Sequence, residues 1–261
     1  MVWGKDIRLS RITENGRMLC VPMDHGVSSG PVKGIVDIEA RIRSVERGGA
    51  TAVIVHKGII RSLDTPLRLG LIMHLSGSTS LGTTPNWKSR VGSVEEAILL
   101  GADGVSVHIN VGGDHEPEML SKLGSVADSC DRWGMPLLAM MYPRGKNVQN
   151  PYDPEVVAHV TRIGGELGAD IVKTTYTGDP DSFKTVVKSS PVPVVIAGGP
   201  KVDTDEEVLD MVAGAVEAGA IGVTFGRNIF QHRDSVALVK ALSAIIKEGA
   251  SVEEALEMLQ R

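Results

Sequence analysis

The chain has 261 residues, 42% of them hydrophobic, and a formal net charge of -5, so it is long enough for one large α/β core. The absence of long basic runs excludes a nucleic-acid surface or an anchor to an anionic membrane, and no stretch approaches about 18 consecutive apolar residues. The first residues contain no apolar signal core, and the two cysteines form no spaced metal or redox pair. We therefore expect a soluble cytoplasmic protein whose partners are small molecules.

The first half of the chain alternates between apolar runs and helical periodicity. Residues 1–16 are polar with scattered apolar points, and we expect them to cap one end of the fold. The first four strands are predicted at 18–24, 52–58, 71–77 and 104–110, with a glycine-rich turn at 25–31 and a long polar loop through Trp87 after the third strand. Helices are predicted at 38–48, 94–100 and 117–133, and Ser93 with Glu96 predicts a capping box for the second of them.

The second half continues the alternation without a linker or a low-complexity segment. The remaining strands are predicted at 135–142, in the stretch 168–179 around Lys173, at 192–199 and at 222–227, with a loop at 143–150 after the fifth strand. The helices are predicted at 154–167, 181–188, 204–217, 234–247 and 252–259. Eight strands alternating with helices predict one (β/α)8 TIM barrel, a single domain spanning residues 1–261.

A fourfold repeat marks the junctions that lead into the even-numbered strands. The pattern Gly-Ala-x-x-Val begins at Gly49, Gly101, Gly168 and Gly219. In a (β/α)8 barrel, alternate strands contribute one layer of inward side chains, so equivalent repeat positions share a layer. One layer is therefore predicted to hold Ile54, Ser106, Lys173 and Thr224.

Because side chains alternate between the two faces of a strand, the same repeat also predicts which of the following residues point into the barrel and which face the helices. The next inward layer, nearer the C-terminal mouth where active sites of this fold lie, is predicted to hold His56, His108, Thr175 and Gly226. The intervening residues should face the helices; they are Val55, Val107, Thr174 and Phe225. Lys173 is thus predicted to point into the barrel, an inference that a β-bulge would reverse.

Lys173 is the anomaly of the sequence because it interrupts a buried strand. Lysine is almost never fully buried without a partner, since desolvation disfavours the ammonium ion relative to the neutral amine. A neutral amine in a pocket is a nucleophile that condenses with carbonyl compounds to give a Schiff base. The alternative is that the side chain extends from the end of its strand to solvent.

Two further residues reach the same mouth of the predicted barrel. Asp24 ends the first strand, where a carboxylate can accept and return protons during C–C cleavage; a salt bridge or a helix cap is the alternative. Tyr142 ends the fifth strand, next to the strand of Lys173, where a phenol can exchange a proton with the substrate. A buried tyrosine whose hydroxyl is already hydrogen-bonded is the alternative for this residue.

Glycine pairs follow the seventh and eighth strands, where barrels of this kind frequently bind a phosphate group on backbone amides. Gly198-Gly199 precedes Lys201, and Gly226 precedes Arg227. Lys201 and Arg227 would add positive charge, and Arg144 in the fifth loop lies at the same end of the barrel. The sequence therefore predicts a phosphorylated substrate.

Four histidines fall near the ends of the first four strands; they are His25, His56, His74 and His108. Convergent imidazoles would suit a metal-dependent aldolase, epimerase or hydrolase. No His-x-His pair supports that alternative, and a lone inward histidine is more often a hydrogen-bonded core residue. We expect neither a metal nor another cofactor.

The motifs together resemble the archaeal-type class I fructose-bisphosphate aldolase family over essentially the whole chain. They are Pro22-Met-Asp-His-Gly-Val, His56-Lys-Gly, Tyr142-Pro-Arg-Gly-Lys, Ala169-Asp-Ile-Val-Lys-Thr-Thr-Tyr-Thr-Gly-Asp, Ala197-Gly-Gly-Pro-Lys and Gly226-Arg-Asn-Ile-Phe-Gln. The resemblance implies that Lys173 forms the Schiff base, Asp24 accepts protons and Tyr142 donates them. It also implies a site lined by His25, Gly26, Val27, Ser28, Pro143, Arg144, Gly198, Gly199, Gly226 and Arg227.

Within this family the chain is most similar to the 2-amino-3,7-dideoxy-D-threo-hept-6-ulosonate synthases, which use aspartate semialdehyde in archaeal aromatic amino-acid biosynthesis. Met23, Met140 and Met141 stand where the dedicated fructose-bisphosphate aldolases tend to carry aromatic residues. A fructose-bisphosphate aldolase of glycolysis or gluconeogenesis is the alternative. The resemblance implies a sugar phosphate and an aldehyde as substrates, and a homo-oligomeric ring such as a decamer.

Overall fold

Eight parallel strands close into a barrel in the computed structural model, which describes residues 3–260. Each strand pairs with the next in sequence, and the last pairs with the first, as the alternating pattern predicted. The strands are β1 (Met18–Pro22), β2 (Ala52–Val55), β3 (Gly70–His74), β4 (Gly104–Val111), β5 (Leu137–Pro143), β6 (Ile171–Thr175), β7 (Val194–Ala197) and β8 (Gly222–Thr224).

Helices surround the barrel and connect its strands. In chain order they are α1 (Trp3–Ile12), α2 (His25–Ser29), α3 (Ile38–Gly48), α4 (Lys57–Ser62), α5 (Val94–Leu99), α6 (Glu116–Trp133), α7 (Pro154–Glu166), α8 (Pro180–Ser189), α9 (Asp205–Glu217), α10 (Arg227–Phe230), α11 (Ser235–Ser243) and α12 (Val252–Gln260). A π-helical turn, Ala244–Glu248, continues α11. Within residues 3–260, no helix combines the length and the apolar character needed to cross a membrane.

Successive side chains of each strand point alternately into the barrel and toward the helices, so the buried side chains form two groups. The barrel interior holds Ile54 and Ile171, together with Met18, Cys20, Ile72, Leu138, Met140 and Val195. The layer between strands and helices holds Val55, Val107 and Phe225, together with most other buried apolar residues. These positions confirm the predicted strand parity, because a two-residue period places neighbouring side chains on opposite faces.

The four repeat glycines end helices or turns just before their strands. Gly49, Gly101, Gly168 and Gly219 have φ values of 94°, 75°, 94° and 100°. This left-handed conformation strains any residue that carries a Cβ atom. The repeat is therefore a backbone requirement of the helix-to-strand turn.

The N-terminal residues cap the barrel end opposite the mouth, as expected. Ile12 is buried in the barrel interior, and Arg11 forms an ion pair with Asp103. A Cβ atom on Gly70 would lie 2.8 Å from the Cα atom of Ile12, so α1 lies directly against the start of β3. Met1 and Val2, which belong to the same predicted cap, lie outside the described residues.

Several predicted strands run past the points where the real strands end. Residues 25–29 form the short helix α2 and not a turn, and β2 stops at Val55 because the amide groups of Ile59 and Ile60 donate to the carbonyl of His56 and begin α4. The predicted third strand also breaks at its end. Its last residues, Ser76–Gly77, pair antiparallel with Ser89–Arg90 in a small mouth hairpin.

The predicted capping box of α5 is only half formed. Ser93 accepts a hydrogen bond from the amide of Glu96 at 3.1 Å, as predicted. The Glu96 carboxylate contacts Lys57 and Arg61 at 3.1 and 2.8 Å, because two cations compete with the single N–H group of the cap. A complete capping box forms instead between Thr204 and Glu207 at the start of α9.

Candidate active site

Lys173 lies inside the barrel, with 6% of its surface exposed. Its Cα atom is paired in register with Met140 of β5 and Val195 of β7. Its charge influences the titration of Asp24 and Cys20, which belong to the opposite side of the barrel. The predicted inward direction is therefore confirmed, and the alternative of a side chain extended to solvent is wrong.

Asp24 follows β1 and faces two imidazole rings. Its carboxylate oxygens lie 3.6 Å from Nε2 of His74 and 3.7 Å from Nδ1 of His25. Burial acts to raise the pKa of Asp24, but the combined effect of His74, His25 and Lys173 is larger and lowers it below its ordinary value. Asp24 is therefore a carboxylate, and not a carboxylic acid, at neutral pH.

The imidazole of His74 is buried between Asp24 and Ser106. Its Nδ1 atom is hydrogen-bonded to the Ser106 hydroxyl oxygen at 2.8 Å. Burial lowers the pKa of His74 to about 3, so the ring is uncharged at neutral pH. His56 packs edge-on against it, with 5.3 Å between the ring centroids.

The other two histidines near the mouth also have local partners. His108 donates a hydrogen bond from Nε2 to Oδ1 of Asn110 at 2.9 Å, and His25 packs edge-on against Phe230. Nδ1 of His25 is buried and has no hydrogen-bond partner among residues 3–260. In that same part of the chain, no three histidine, cysteine or acidic side chains are arranged to hold a metal ion.

Tyr142 lies one inward layer above Lys173 on the neighbouring strand. Its ring packs against His108, with 5.0 Å between centroids, and the Arg144 guanidinium lies 4.7 Å above it. The Tyr142 hydroxyl has no hydrogen-bond partner within residues 3–260, unlike a structural tyrosine whose hydroxyl is satisfied. Tyr142 and Thr175 also border one cavity of about 280 Å³.

The loops after β7 and β8 are joined by side chains. Asn228 donates to the carbonyl of Gly198 at 2.9 Å, and Arg227 donates to the carbonyl of Gly199 at 2.8 Å. A Cβ atom on Gly226 would lie 2.7 Å from Cε1 of His25, so only glycine allows this close approach to the loop after β1. The sequence analysis included Asn228 in the turn after the eighth strand but gave it no role of its own, because nothing in the chain distinguishes a buried asparagine from an exposed one here.

The remaining predicted residues also lie at this end of the barrel. Gly26, Val27 and Ser28 form part of α2, and the carbonyl of Ser28 accepts a hydrogen bond from the amide of Ser80 at 2.9 Å. Pro143 ends β5. Lys201 is exposed and borders a separate cavity of about 330 Å³ beyond the β7 loop.

Sequence comparison finds a matching family and similar proteins over nearly the whole chain. The sequence profile described as "DeoC/LacD family aldolase" matches residues 18–232. A "2-amino-3,7-dideoxy-D-threo-hept-6-ulosonate synthase" from Halobacterium salinarum is 45% identical over 97% of this chain and 95% of its own length. A "Fructose-bisphosphate aldolase class 1" from Thermoproteus tenax is 36% identical over 93% of this chain and 94% of its own.

Comparison of three-dimensional structures gives the same fold. One solved structure is an archaeal fructose-1,6-bisphosphate aldolase with its catalytic lysine covalently bound to a carbinolamine intermediate. It is 34% identical to this chain and superimposes with a TM-score of 0.87, covering 93% of this chain and 99% of that one.

Proposed function

Because this chain belongs to the DeoC/LacD aldolase family and is a class I enzyme that works through a lysine Schiff base, we propose that Lys173 is the lysine that forms the imine. The observation that carries the assignment is a lysine buried inside the barrel, on the strand beside that of Tyr142, whose charge acts on the carboxylate of Asp24. Lys57 and Lys201 are poorer candidates, since Lys57 pairs with Glu96 at 3.1 Å and Lys201 is exposed.

The reaction begins when the neutral amine of Lys173 attacks the ketone carbon of a keto-sugar phosphate. The carbinolamine formed loses water to give an iminium ion, which accepts the electron pair of the breaking C–C bond. Asp24, ionised at neutral pH, accepts the proton of the hydroxyl group beside that bond as it becomes an aldehyde. Tyr142 donates a proton from its hydroxyl to the carbinolamine hydroxyl group, which then leaves as water when the iminium ion forms.

We propose that the three-carbon unit retained on Lys173 is transferred to an aldehyde acceptor. Its enamine carbon attacks the acceptor carbonyl, a new C–C bond forms, and Asp24 returns its proton to the aldehyde oxygen, which becomes a hydroxyl group. Water then adds to the iminium ion and releases the product and the amine. The phosphate group of the sugar is held by Gly198, Gly199, Gly226 and Arg227, whose loops are joined by side-chain hydrogen bonds.

The favoured activity is that of a 2-amino-3,7-dideoxy-D-threo-hept-6-ulosonate synthase, with aspartate semialdehyde as acceptor. This choice is supported by sequence identity, which is 45% with the Halobacterium salinarum synthase and 36% with the Thermoproteus tenax aldolase. Met140 also supports it, because it pairs in register with Lys173 where dedicated aldolases tend to carry an aromatic residue. Cleavage of fructose bisphosphate is the second candidate, because the Thermoproteus tenax aldolase is similar over the same length.

The test is an assay of purified enzyme with two substrate mixtures. One contains 6-deoxy-5-ketofructose phosphate with aspartate semialdehyde, and the other contains fructose bisphosphate alone, each with and without a chelator. Product from the first mixture only supports the synthase, whereas brisk cleavage in the second only supports the aldolase. Activity that disappears with chelator and survives in Lys173→Ala would overturn the Schiff-base assignment.

Covalent trapping identifies the lysine directly. Borohydride added with a keto-sugar phosphate should increase the mass of the peptide that contains Lys173, and no other. Lys57→Ala and Lys201→Ala should still be trapped. A modified peptide that lacks Lys173 contradicts the assignment.

We further propose that the protein is a single-domain cytoplasmic enzyme that assembles into a homo-oligomeric ring such as a decamer. Trp3 and Ile7 on α1 are 73% and 62% exposed, and burial of such apolar surface is a common reason for subunits to associate. Light scattering after gel filtration measures the number of subunits, and a monomer at micromolar concentration would contradict the proposal.

A further inference from the structure

Two cations lie on the side of the mouth away from the β7 and β8 loops. Lys88 is half-buried just before the second strand of the mouth hairpin, and its ammonium donates a hydrogen bond to the Ser78 hydroxyl at 2.5 Å. Arg144 follows β5 and covers the ring of Tyr142. Burial, and then the charge of Arg144, lower the pKa of Lys88, whereas Asp24 acts in the opposite direction.

Neither cation has a carboxylate partner among residues 3–260. Other lysines near the mouth do, since Lys146 contacts Asp114 at 2.7 Å and Lys57 contacts Glu96 at 3.1 Å. The two cations belong to one neighbourhood, because Lys122 joins the carbonyl of Lys88 to that of His108, and the His108 ring packs against the Tyr142 ring that Arg144 covers. Like charges on one side of the mouth repel one another, and the repulsion grows as water is excluded. A bound anion would remove that repulsion and supply hydrogen-bond acceptors to both side chains.

The position of Lys88 is fixed by a second buried lysine. Lys122 on α6 is only 8% exposed, and its ammonium donates to the carbonyls of Lys88 and His108 at 2.5 and 2.8 Å and to the Ser76 hydroxyl at 3.1 Å. The Ser76 hydroxyl in turn accepts from the amide of His108 at 3.0 Å. The backbone of Lys88 is thus attached to β4, and its side chain is pre-positioned at the mouth.

We propose that Lys88, together with Arg144, binds the anionic group of the aldehyde acceptor, which is a carboxylate in the proposed reaction. The inference rests on the proposed function for the identity of the acceptor. Arg144 places the site beside Tyr142 and borders a cavity of about 260 Å³ with Trp87 and Asn110. A planar guanidinium suits a carboxylate because its fork matches the two oxygens, and an ammonium on the same side of the mouth adds a second positive charge.

The mouth of the barrel would then bind two anions, one on each side of Lys173. The sugar phosphate binds at the β7 and β8 loops, and the acceptor binds at the mouth hairpin and the β5 loop. Lys173 lies on β6, between the strands that carry these loops. The aldehyde carbon of an acceptor held by its anionic end would then approach the enamine from the side of Tyr142.

The test compares charged and uncharged acceptors in matched variants. Lys88→Met removes the charge and keeps the length, Lys88→Arg restores a cation, and Lys184→Met removes an exposed charge on α8, away from the proposed site. With donor saturating, Lys88→Met should raise KM for aspartate semialdehyde about 10- to 100-fold, the scale of a hydrogen bond between charged groups. Its KM for uncharged glyceraldehyde, and borohydride trapping of Lys173 with donor alone, should not change.

Recovery in Lys88→Arg and wild-type behaviour in Lys184→Met would complete the supporting pattern. An equal rise in KM for charged and uncharged acceptors would overturn the proposal, because it indicates a general loss of loop structure. Glyceraldehyde 3-phosphate separates this inference from the proposed function. If the wild-type enzyme ignores aspartate semialdehyde and Lys88→Met selectively raises KM for the phosphorylated aldehyde, the anion site stands and the synthase activity fails.

Discussion

The carboxylate of Asp24 and the imidazole of His74 face each other inside the barrel, with 3.6 Å between Oδ2 and Nε2. They come from the ends of β1 and β3, with β2 between them. Because burial lowers the pKa of His74 to about 3, the pair consists of a charged carboxylate and a neutral ring at neutral pH. The imidazole can therefore orient Asp24 without cancelling its negative charge, which the proposed role of proton acceptor requires.

Removing that imidazole should change the pH dependence of the reaction. His74 is among the groups that lower the pKa of Asp24, so His74→Leu should raise it, and the acid limb of the kcat/KM profile should move to higher pH. His159→Leu, a matched change at an exposed histidine of α7, should leave the profile in place. An unmoved acid limb in His74→Leu would show that Asp24 does not depend on this ring.

Arg227 belongs to the loops after β7 and β8 that are proposed to bind the substrate phosphate, so replacing it should change the affinity for that substrate. Arg227→Ala should weaken the binding of a phosphorylated substrate by about 1.5–3 kcal/mol, the scale of a hydrogen bond to a charged group. Isothermal titration with the keto-sugar phosphate in Lys173→Ala measures binding without turnover. Arg233→Ala removes a nearby exposed cation that contacts Asp205 at 3.5 Å and should bind normally. Unchanged affinity in Arg227→Ala would remove Arg227 from the site.

Gly226 should not tolerate even one added methyl group. An alanine Cβ atom would lie 2.7 Å from His25 Cε1 and 2.9 Å from the carbonyl oxygen of Pro22, so the loops after β1 and β8 must separate. Gly226→Ala should lower the free energy of unfolding by about 1–3 kcal/mol, as overpacking does, and reduce kcat/KM. Gly58→Ala is the control, because nothing lies within 4 Å of its added Cβ atom. Equal stability of the two variants in urea would contradict this account.

Lys122 should make stability depend on alkaline pH. Burial, and then the charge of Lys88, lower the pKa of Lys122 from 10.5 to about 7, although its three acceptor oxygens favour the charged form. Between these values the unfolded chain binds more protons than the folded one, so this residue makes stability rise with pH across that window. The rise should be missing from Lys122→Met. Urea unfolding of both proteins from pH 7 to pH 10 measures the difference, and parallel curves would contradict the prediction.

The architecture and the direction of Lys173 were predictable because they depend on short-range patterns. The repeat at Gly49, Gly101, Gly168 and Gly219 marks left-handed turns, and strand parity follows from a two-residue period. The ends of the strands were not predictable in the same way. The chain leaves the sheet after Val55 because the amides of Ile59 and Ile60 donate to the carbonyl of His56 and begin α4, and the apolar pattern of residues 52–58 does not distinguish that helical turn from a strand.

Lys122 is a second buried lysine, and its position in the sequence would have allowed its burial to be predicted. It occupies a buried position of α6 next to Leu123 and one turn from Met119 and Val126, so it is as anomalous in its helix as Lys173 is in its strand. The sequence pattern contains that signal. Its acceptors were not predictable, because Ser76 and Lys88 lie 46 and 34 residues away along the chain.

The barrel closes where its last strand pairs with its first, through Met18 with Gly222 and Cys20 with Thr224. Gly226 and Arg227 follow that last strand immediately, and Gly226 rests against His25 from the other end of the chain. A ribosome-bound chain that has not yet released residues 222–230 therefore has neither a closed barrel nor both of the loops that are proposed to bind the phosphate. If these loops bind the sugar phosphate as proposed, its capture must wait for the final strand. A bound phosphate would then hold together the seam of the barrel whose two strands are synthesised farthest apart in time.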